Sequence, residues 1–251
     1  MQGLLLCDLR DPAPAVRLAR ERGLGVELQY FYYPQALDEP ARALAEHRVL
    51  LAGLAGPRAI HGPFIGLSAG CLDPLVREVT RRRLLEGLAI AGKLGAGHMV
   101  THLGYIPHNG PQEEWLALAA DFWRTLLPEV PEGIRIYLEN MLEEGPEMQL
   151  ALAERVGDPR LGLCLDLGHA HALSRRPVVE WIEALGERLA YVHLHDNRGA
   201  EDEHLPLGRG NLPLAEALAA LERRAPRAIW ALEAGAAPSL AWLQANGFLA
   251  P

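Results

Sequence analysis

The sequence predicts an α/β protein, a single closed (β/α)8 barrel with parallel strands inside and helices outside. Two observations support this fold class. Short apolar runs alternate with longer segments of helical periodicity, and eight such units fit within the 251 residues. No linker rich in Gly and Ser interrupts the alternation, so residues 1–251 are predicted to form one domain. A doubly wound open sheet is the alternative.

The predicted strands are eight short apolar runs. In chain order they cover residues 4–9, 24–30, 58–64, 98–103, 134–140, 161–169, 189–196 and 229–235. The predicted helices between and after them cover residues 12–23, 36–56, 73–95, 111–127, 147–157, 177–189, 213–225 and 239–247. In each helix, apolar residues recur three and four positions apart, and several helices end at a Gly or just before a Pro. The longest stretch without this periodicity, residues 195–211, is polar and is predicted to be a functional loop.

Composition excludes several classes of protein. With 49% hydrophobic and 22% charged residues, the chain has the make-up of a globular protein rather than a disordered or fibrous one. Thirty-two acidic against 24 basic residues give a net charge of -8, which disfavours a nucleic-acid partner. The three consecutive arginines at 81–83 are expected on the outer ring of helices.

The cysteines and the apolar stretches predict the compartment. Cys7, Cys71 and Cys164 are too few and too scattered for a disulfide framework, which indicates reduced, buried thiols in a cytoplasmic protein. No stretch approaches the ~18 apolar residues of a membrane span, and the N-terminus lacks the basic region of a secretion signal. Neither secretion nor membrane insertion is expected.

Histidines and carboxylates concentrate at or just after the ends of the predicted strands. The histidines are His61, His102, His169, His171, His193, His195 and His204, and the acids are Glu27, Glu139, Asp166, Asp196 and Glu233. In a (β/α)8 barrel these strand ends meet at one mouth, where such barrels hold their active sites. So many acids and imidazoles in one place repel one another and are costly to desolvate unless cations neutralise them. The pattern therefore predicts a divalent metal site.

Six motifs carry a resemblance to a known family. They are IHGPF (60–64), VTHLG (100–104), YLEN (137–140), CLDLGHAH (164–171), YVHLHDNRGAEDEHLPLGRGN (191–211) and ALEAG (231–235). In this order and over nearly the whole chain, they resemble the xylose-isomerase-like TIM barrels, which include sugar phosphate isomerases and epimerases and endonuclease IV.

The resemblance implies a metal centre and its ligands. The site shared by the epimerases and the nuclease corresponds here to Glu139, Asp166, His193 and Glu233. The further ligands of the three-metal nuclease cluster correspond to His61, His102, His169, Asp202 and His204. One to three divalent ions, Zn or Mn before others, are expected. Substrate contacts are expected from His169, His195, Asp196 and Arg198.

Two reactions suit such a mouth. The first is isomerisation or epimerisation of a small sugar or sugar phosphate, in which Glu139 and Glu233 act as the acid/base pair that moves a proton next to a carbonyl. The alternative is an endonuclease IV-like phosphodiester hydrolase with a two- or three-metal cluster. The loop at 31–40 has aromatic residues but no basic one, so the isomerase or epimerase ranks first. A barrel that binds metal or sugar without catalysis is the third hypothesis, and the oligomeric state stays open.

Overall fold

Eight parallel strands close into a barrel in the computed structural model, which describes residues 3–8 and 11–250. The strands are β1 Gly3–Asp8, β2 Gly25–Leu28, β3 Arg58–His61, β4 His98–His102, β5 Arg135–Glu139, β6 Leu161–Asp166, β7 Leu189–Leu194 and β8 Ile229–Leu232. Each strand pairs with the next, and β8 pairs back onto β1, with Ala231 opposite Leu5. The predicted (β/α)8 barrel is therefore confirmed, and the open sheet is excluded.

Ten helices surround the described part of the barrel. They are α1 Pro12–Arg22, α2 Pro34–Asp38, α3 Pro40–Leu50, α4 Pro74–Leu94, α5 Gln112–Leu126, α6 Glu147–Val156, α7 Leu167–Leu173, α8 Val178–Leu185, α9 Leu214–Arg224 and α10 Ala236–Ala245. Among the described residues, no helix combines the length and apolar character that a membrane span requires.

The helix predicted over residues 36–56 is two helices, α2 and α3, in the structure. Pro40 is the reason for the break, because proline has no N–H and clashes with the preceding turn of a helix. It is instead the first residue of α3, the position at which a helix tolerates proline. The second helix ends at Leu50, so residues 51–56 form turns rather than further helix.

Capping residues define both ends of α4, the long helix between β3 and β4. Asp73 caps α4 by accepting a hydrogen bond of 2.8 Å from Leu75 N. Gly95 ends the same helix in the left-handed conformation, with a φ of 66°, which glycine adopts without a steric penalty. The long helix therefore begins and ends where the sequence predicts.

The interior of the barrel is filled by side chains from alternate positions of the strands. They are Leu5, Cys7, Ala59, Val100, Tyr137, Cys164, Tyr191, Ile229 and Ala231. The larger core lies between the sheet and the helices and contains most of the remaining buried apolar residues. Cys7 and Cys164 are buried free thiols as predicted, whereas Cys71 is only half-buried.

Most of the predicted strands end earlier than expected, and two of these early ends, those of β6 and β7, shape the mouth of the barrel. The run at 161–169 leaves the sheet at Asp166, and α7 begins at the next residue. The Asp166 carboxylate caps this helix by accepting a hydrogen bond of 2.6 Å from His169 N. His169 and His171 thus lie on a helix instead of in a loop. The run at 189–196 ends at Leu194, and the stretch that follows is irregular apart from a bridge between Asp196 and Leu205.

Candidate metal centre

All nine predicted metal ligands lie at the mouth formed by the carboxyl ends of the strands. Six of them end a strand or follow its last residues closely: His61, His102, Glu139, Asp166, His193 and Glu233. His169 comes from α7, and Asp202 and His204 come from the loop between β7 and α9. Residues from six strands and two connecting segments therefore converge on one place.

The first group of ligands surrounds His193. Its Nδ1 lies 3.0 Å from Glu139 Oε1, 3.2 Å from Glu233 Oε2 and 3.8 Å from Asp166 Oδ2. All four side chains are at most 5% exposed. One ligand atom from each residue lies within 4.8 Å of the others, so this group could hold one metal ion.

The second group shares Glu139 with the first. The Oε2 atom of Glu139 lies 3.2 Å from His61 Nε2 and 3.5 Å from His102 Nε2. The ring of His102 is stacked on that of Phe64, with centroids 3.8 Å apart, which fixes its orientation. The two oxygens of Glu139 thus face two different sets of imidazoles.

The third group is centred on Asp202. Its Oδ2 lies 3.3 Å from His169 Nε2 and 3.0 Å from His204 Nε2. His195 completes the group, with its Nε2 3.5 Å from Asp202 Oδ1. His204 has a positive φ of 47°, which is uncommon for a residue with a side chain. The irregular loop therefore holds His204 in a conformation that aims its imidazole at the group.

Three of the histidines hold their outer nitrogen against a backbone carbonyl. His61 Nδ1, His169 Nδ1 and His204 Nδ1 lie 2.9 to 3.1 Å from the carbonyl oxygens of Gly62, Asn140 and Glu233, respectively. Because a carbonyl can only accept, each Nδ1 is assigned as the donor, which leaves each Nε2 facing the carboxylates, where its lone pair could bind a metal ion. This is how proteins orient an imidazole that binds a metal ion.

His193 is held in the same way by a buried carboxylate. Its Nε2 lies 3.1 Å from both oxygens of Glu27, which leaves Nδ1 facing the first group. Glu27 also accepts hydrogen bonds from Tyr191 Oη, at 2.5 Å, and from Gln29 Nε2, at 2.8 Å. The sequence places Glu27 at the level of the mouth but gives no sign of this role, since its partners are far away along the chain.

Burial and opposite charges set the protonation of the first group. Burial would raise the pKa of Glu139, but the charge of His193 and hydrogen bonds from His193 and His61 hold it well below its ordinary value. Burial would lower the pKa of His193, but Glu233 and Glu27 raise it well above its ordinary value. The pKa of Glu233 is raised, mainly by burial. Protonated imidazoles thus supply positive charge that these carboxylates require, and bound cations would take over that role.

Charges differ between the two outer groups. Burial lowers the pKa of His102 to about 3, so this imidazole is neutral and its unprotonated nitrogen has one lone pair for a metal ion. Burial would also lower the pKa of His204, but the hydrogen bond to Asp202 raises it to about 9. A neutral imidazole and an ion-paired one therefore lie at opposite sides of the mouth.

The donor set fits divalent metal ions. It consists of five imidazoles and four carboxylates, a mixture that suits Zn or Mn. Glu233 Oε2 is buried and accepts no hydrogen bond, although His193 Nδ1 lies 3.2 Å away. A buried carboxylate oxygen without a donor is unfavourable unless a cation binds it.

The predicted substrate contacts lie in different surroundings. His195 is fully buried, and its Nε2 lies between two predicted ligands, 3.0 Å from Asp166 Oδ1 and 3.5 Å from Asp202 Oδ1. The carboxylate of Asp196 accepts hydrogen bonds from the backbone N–H groups of its own loop, at Asn197, Gly208, Gly210 and Leu212. Arg198 is 62% exposed and pairs with Glu203. Of the predicted contacts, only His169 lines the cavity beside the ligands, and all four stay predictions.

The cavity above the ligands has a volume of about 110 Å³. Besides seven of the predicted ligands, its walls are formed by Gln29, Tyr32, Phe64 and Met141, and Asn140 lies directly behind. None of them is a predicted site residue, although Tyr32 belongs to the aromatic loop at 31–40, and Phe64 and Asn140 belong to the IHGPF and YLEN motifs. Apolar and aromatic runs also suit a core, so the sequence does not separate the wall of a cavity from ordinary packing. Asn140 hydrogen-bonds the backbone of Asp166 with both side-chain atoms and so joins two ligand strands.

Comparisons with known proteins show which chains this one resembles. The chain is 33% identical to the TTHB071 protein of Thermus thermophilus soaked with ZnCl2, with a TM-score of 0.74 over 98% of both chains. It is 32% identical over 178 residues to the uncharacterized protein MJ1311 of Methanocaldococcus jannaschii, a match that spans 65% of this chain and 59% of that protein. It is 27% identical to the probable endonuclease 4 of Mycobacterium ulcerans, over 80% of this chain and 82% of that protein.

A structure of a D-tagatose 3-epimerase-like protein also superposes on this chain, with a TM-score of 0.78 over 97% of this chain and 96% of the other. Its identity is 24%, so the likeness concerns the fold alone. The family model described as the xylose isomerase-like TIM barrel matches residues 16–249. Given this match, the closed barrel and the ligand-bearing mouth, the chain belongs to the xylose isomerase-like TIM barrel family.

Proposed function

We propose that this chain hydrolyses phosphate esters with two or three divalent metal ions held by the nine ligands. The observation that carries the proposal is the position of Glu139. Its Oε2 faces His61 and His102, and its Oε1 faces His193. A carboxylate with one oxygen in each of two ligand groups is suited to bridge two ions, and two-ion sites serve in-line displacement at phosphorus.

The charge of the ligand set supports an anionic substrate. Four carboxylates bring four negative charges when ionised, and the five imidazoles are neutral when they bind metal. A single divalent ion would leave the mouth negative, which would repel a phosphate. Three divalent ions would leave an excess of about two positive charges, which an attacking hydroxide and a phosphodiester would neutralise.

The residues of the chain have separate tasks in this reaction. Bound divalent ions would supply a water of lowered pKa and Lewis-acid activation of the phosphoryl group. With one carboxylate oxygen of Glu233 on metal, the other oxygen would take the proton of the attacking water. The water oxygen forms a bond to phosphorus as the ester oxygen leaves, and the proton passes to that oxygen as the alcohol is released. Tyr32, Phe64 and Met141 cover the cavity and exclude other water molecules.

The mouth favours a small substrate over duplex DNA. No Lys or Arg is among the described residues that line this cavity or the larger one beside it. Two of the three consecutive arginines pair elsewhere, Arg81 with Glu129 and Arg83 with Asp38 and Glu86, on the outer ring of helices. Duplex binding depends on basic side chains that contact phosphates, and the linings of these two cavities offer none of them.

Isomerisation or epimerisation of a sugar is the second candidate. Glu139 and Glu233 both lie close to His193 Nδ1, at 3.0 and 3.2 Å, so they flank one position. Two carboxylates around a planar intermediate can remove a proton and return it. This reaction needs only the first ligand group, however. It assigns no role to the remaining side chains His61, His102, Asp202 and His204.

Two assays on the zinc- or manganese-loaded chain separate the candidates. We expect metal-dependent release of 4-nitrophenolate from bis(4-nitrophenyl) phosphate and no exchange of the hydrogens next to the carbonyl of D-tagatose with solvent deuterium. Glu139→Gln should lower the hydrolysis rate about 100-fold or more, because the bridge is lost. The matched control is Glu154→Gln, at an exposed carboxylate on α6, which should keep the wild-type rate.

Deuterium exchange without hydrolysis would contradict the proposal and favour the isomerase. Nicking of an abasic-site duplex at physiological salt would retain the hydrolytic chemistry but contradict the small substrate.

A further inference from the structure

A second and larger cavity, of about 700 Å³, opens beside the metal centre. It lies between the segments that follow β3, β4 and β5, and most of its wall is apolar. The principal side chains are Phe64, Ile65, Tyr105, Ile106, Trp115 and Leu142. A volume of this size accommodates a drug-sized molecule.

The larger cavity adjoins the cavity above the ligands, because Phe64, His102 and Met141 line both of them. His102 also lies 3.5 Å from Glu139, so the larger cavity begins next to a predicted ligand. A molecule held at the metal centre therefore lies directly beside the larger cavity.

Exposed apolar side chains are concentrated here. Of the large hydrophobic residues that are exposed in the described part of the chain, four line this cavity: Ile65, Leu72, Ile106 and Leu142. Single exposed apolar residues are ordinary, but a cluster around a cavity marks a binding site. The acidic residues in its wall are already engaged, since Asp73 caps α4 and Glu143 accepts a hydrogen bond from Met141 N.

We propose that this cavity binds an apolar group, an aryl or alkyl chain, of the same molecule whose polar end lies at the metal centre. This cavity would extend the site of the proposed function. The proposal rests on that function only because it requires a metal ion bound by the predicted ligands. It assigns the substrate to amphiphilic esters with an apolar arm. An unsubstituted sugar has no group that would fill such a cavity, and neither does a phosphodiester backbone.

Two hydroxamic acids test the inference without any turnover. Both acetohydroxamic acid and octanohydroxamic acid carry the same metal-binding group, and only the second has an apolar chain. Titration calorimetry on the zinc-loaded chain should show octanohydroxamic acid binding at least about 50-fold more tightly, since each fully buried methylene contributes about fourfold.

Variants locate the bound chain. Ile106→Glu and Leu142→Glu change side chains that are 52% and 40% exposed, so both proteins should fold. Each variant should lower the affinity for octanohydroxamic acid about 10-fold or more and leave the affinity for acetohydroxamic acid unchanged. The control is Val49→Glu, on α3 and 77% exposed outside the cavity, which should change neither affinity.

Equal affinities for the two acids would overturn the inference. It would also be overturned if octanohydroxamic acid kept its tighter binding in both Ile106→Glu and Leu142→Glu. Failure of either acid to bind the zinc-loaded chain would also overturn it. A protein that shows the chain-length gain but does not hydrolyse bis(4-nitrophenyl) phosphate would retain the apolar subsite and lose the proposed hydrolysis.

Discussion

Single residues decide whether the histidines at the mouth can bind metal. The resemblance to the xylose-isomerase-like barrels predicts nine metal ligands, and the structure brings their side chains together at one mouth. Sequence reasoning could not find Glu27 as the partner of His193, because the two are 166 positions apart and only the closed barrel brings them together. Candidate ligands can therefore be predicted from a sequence, whereas the residues that orient them through hydrogen bonds are identified only from the structure.

Replacing Glu27 should weaken metal binding without removing a ligand. In Glu27→Gln the amide can present its NH2 group to His193 Nε2, which alters the tautomer and the orientation of the ring. We expect a loss of about 10-fold or more in zinc affinity, measured by competition with a chromophoric chelator. Glu154→Gln is the control, and wild-type affinity in Glu27→Gln would show that the carboxylate only fills the barrel interior.

The pH dependence of stability reports on Glu143, a buried residue after β5. Burial raises its pKa to about 7 from an ordinary value near 4.5. Between these pH values the folded state binds more protons than the unfolded state, so the free energy of unfolding falls as the pH rises. The decrease amounts to about 3 kcal/mol at most.

In Glu143→Gln this decrease should be absent, because the amide mimics the protonated acid and still accepts from Met141 N. Urea unfolding of the metal-free proteins should give equal stabilities near pH 5 and a more stable variant near pH 8. Parallel curves for the two proteins across this range would show that Glu143 is ionised in the folded state.

At the scale of elements, strand ends and one loop build the site. The periodicity of the sequence predicts all eight strands, but it places the end of β6 three residues too late. Leu167 and Ala170 continue the apolar pattern, and the capping of α7 by Asp166 is a local hydrogen bond that an apolar run conceals. The predicted functional loop at 195–211 is irregular in the structure and carries Asp202 and His204.

Asp196 anchors this loop, so its removal should affect one ligand group and spare the others. Four backbone N–H groups lose their acceptor in Asp196→Ala, and Asp202 and His204 are carried by the same loop. We expect the variant to bind one zinc ion fewer than the wild type, by elemental analysis after dialysis. Hydrogen exchange should be faster at Gly208 and Gly210. A full complement of zinc would mean that the ligands, not the anchor, hold the loop in place.

At the scale of the whole molecule, the order of strands and helices can be predicted from the sequence, but the reaction cannot. Eight alternating units within 251 residues leave little choice but a barrel, and a barrel brings all strand ends to one mouth. The choice between hydrolysis and proton transfer instead depends on which oxygen of Glu139 faces which imidazole. The overall charge of -8 favours a small substrate, but it carries no information about this geometry.

The number of metal ions at Glu139 tests the central claim most directly. Crystals grown with excess zinc, measured at the zinc absorption edge, should give at least two anomalous peaks about 3.5–4 Å apart, with one oxygen of Glu139 on each ion. A third peak is expected between His169, Asp202 and His204. A single peak among Glu139, Asp166, His193 and Glu233 at saturating zinc would contradict the multinuclear centre and the hydrolysis that rests on it.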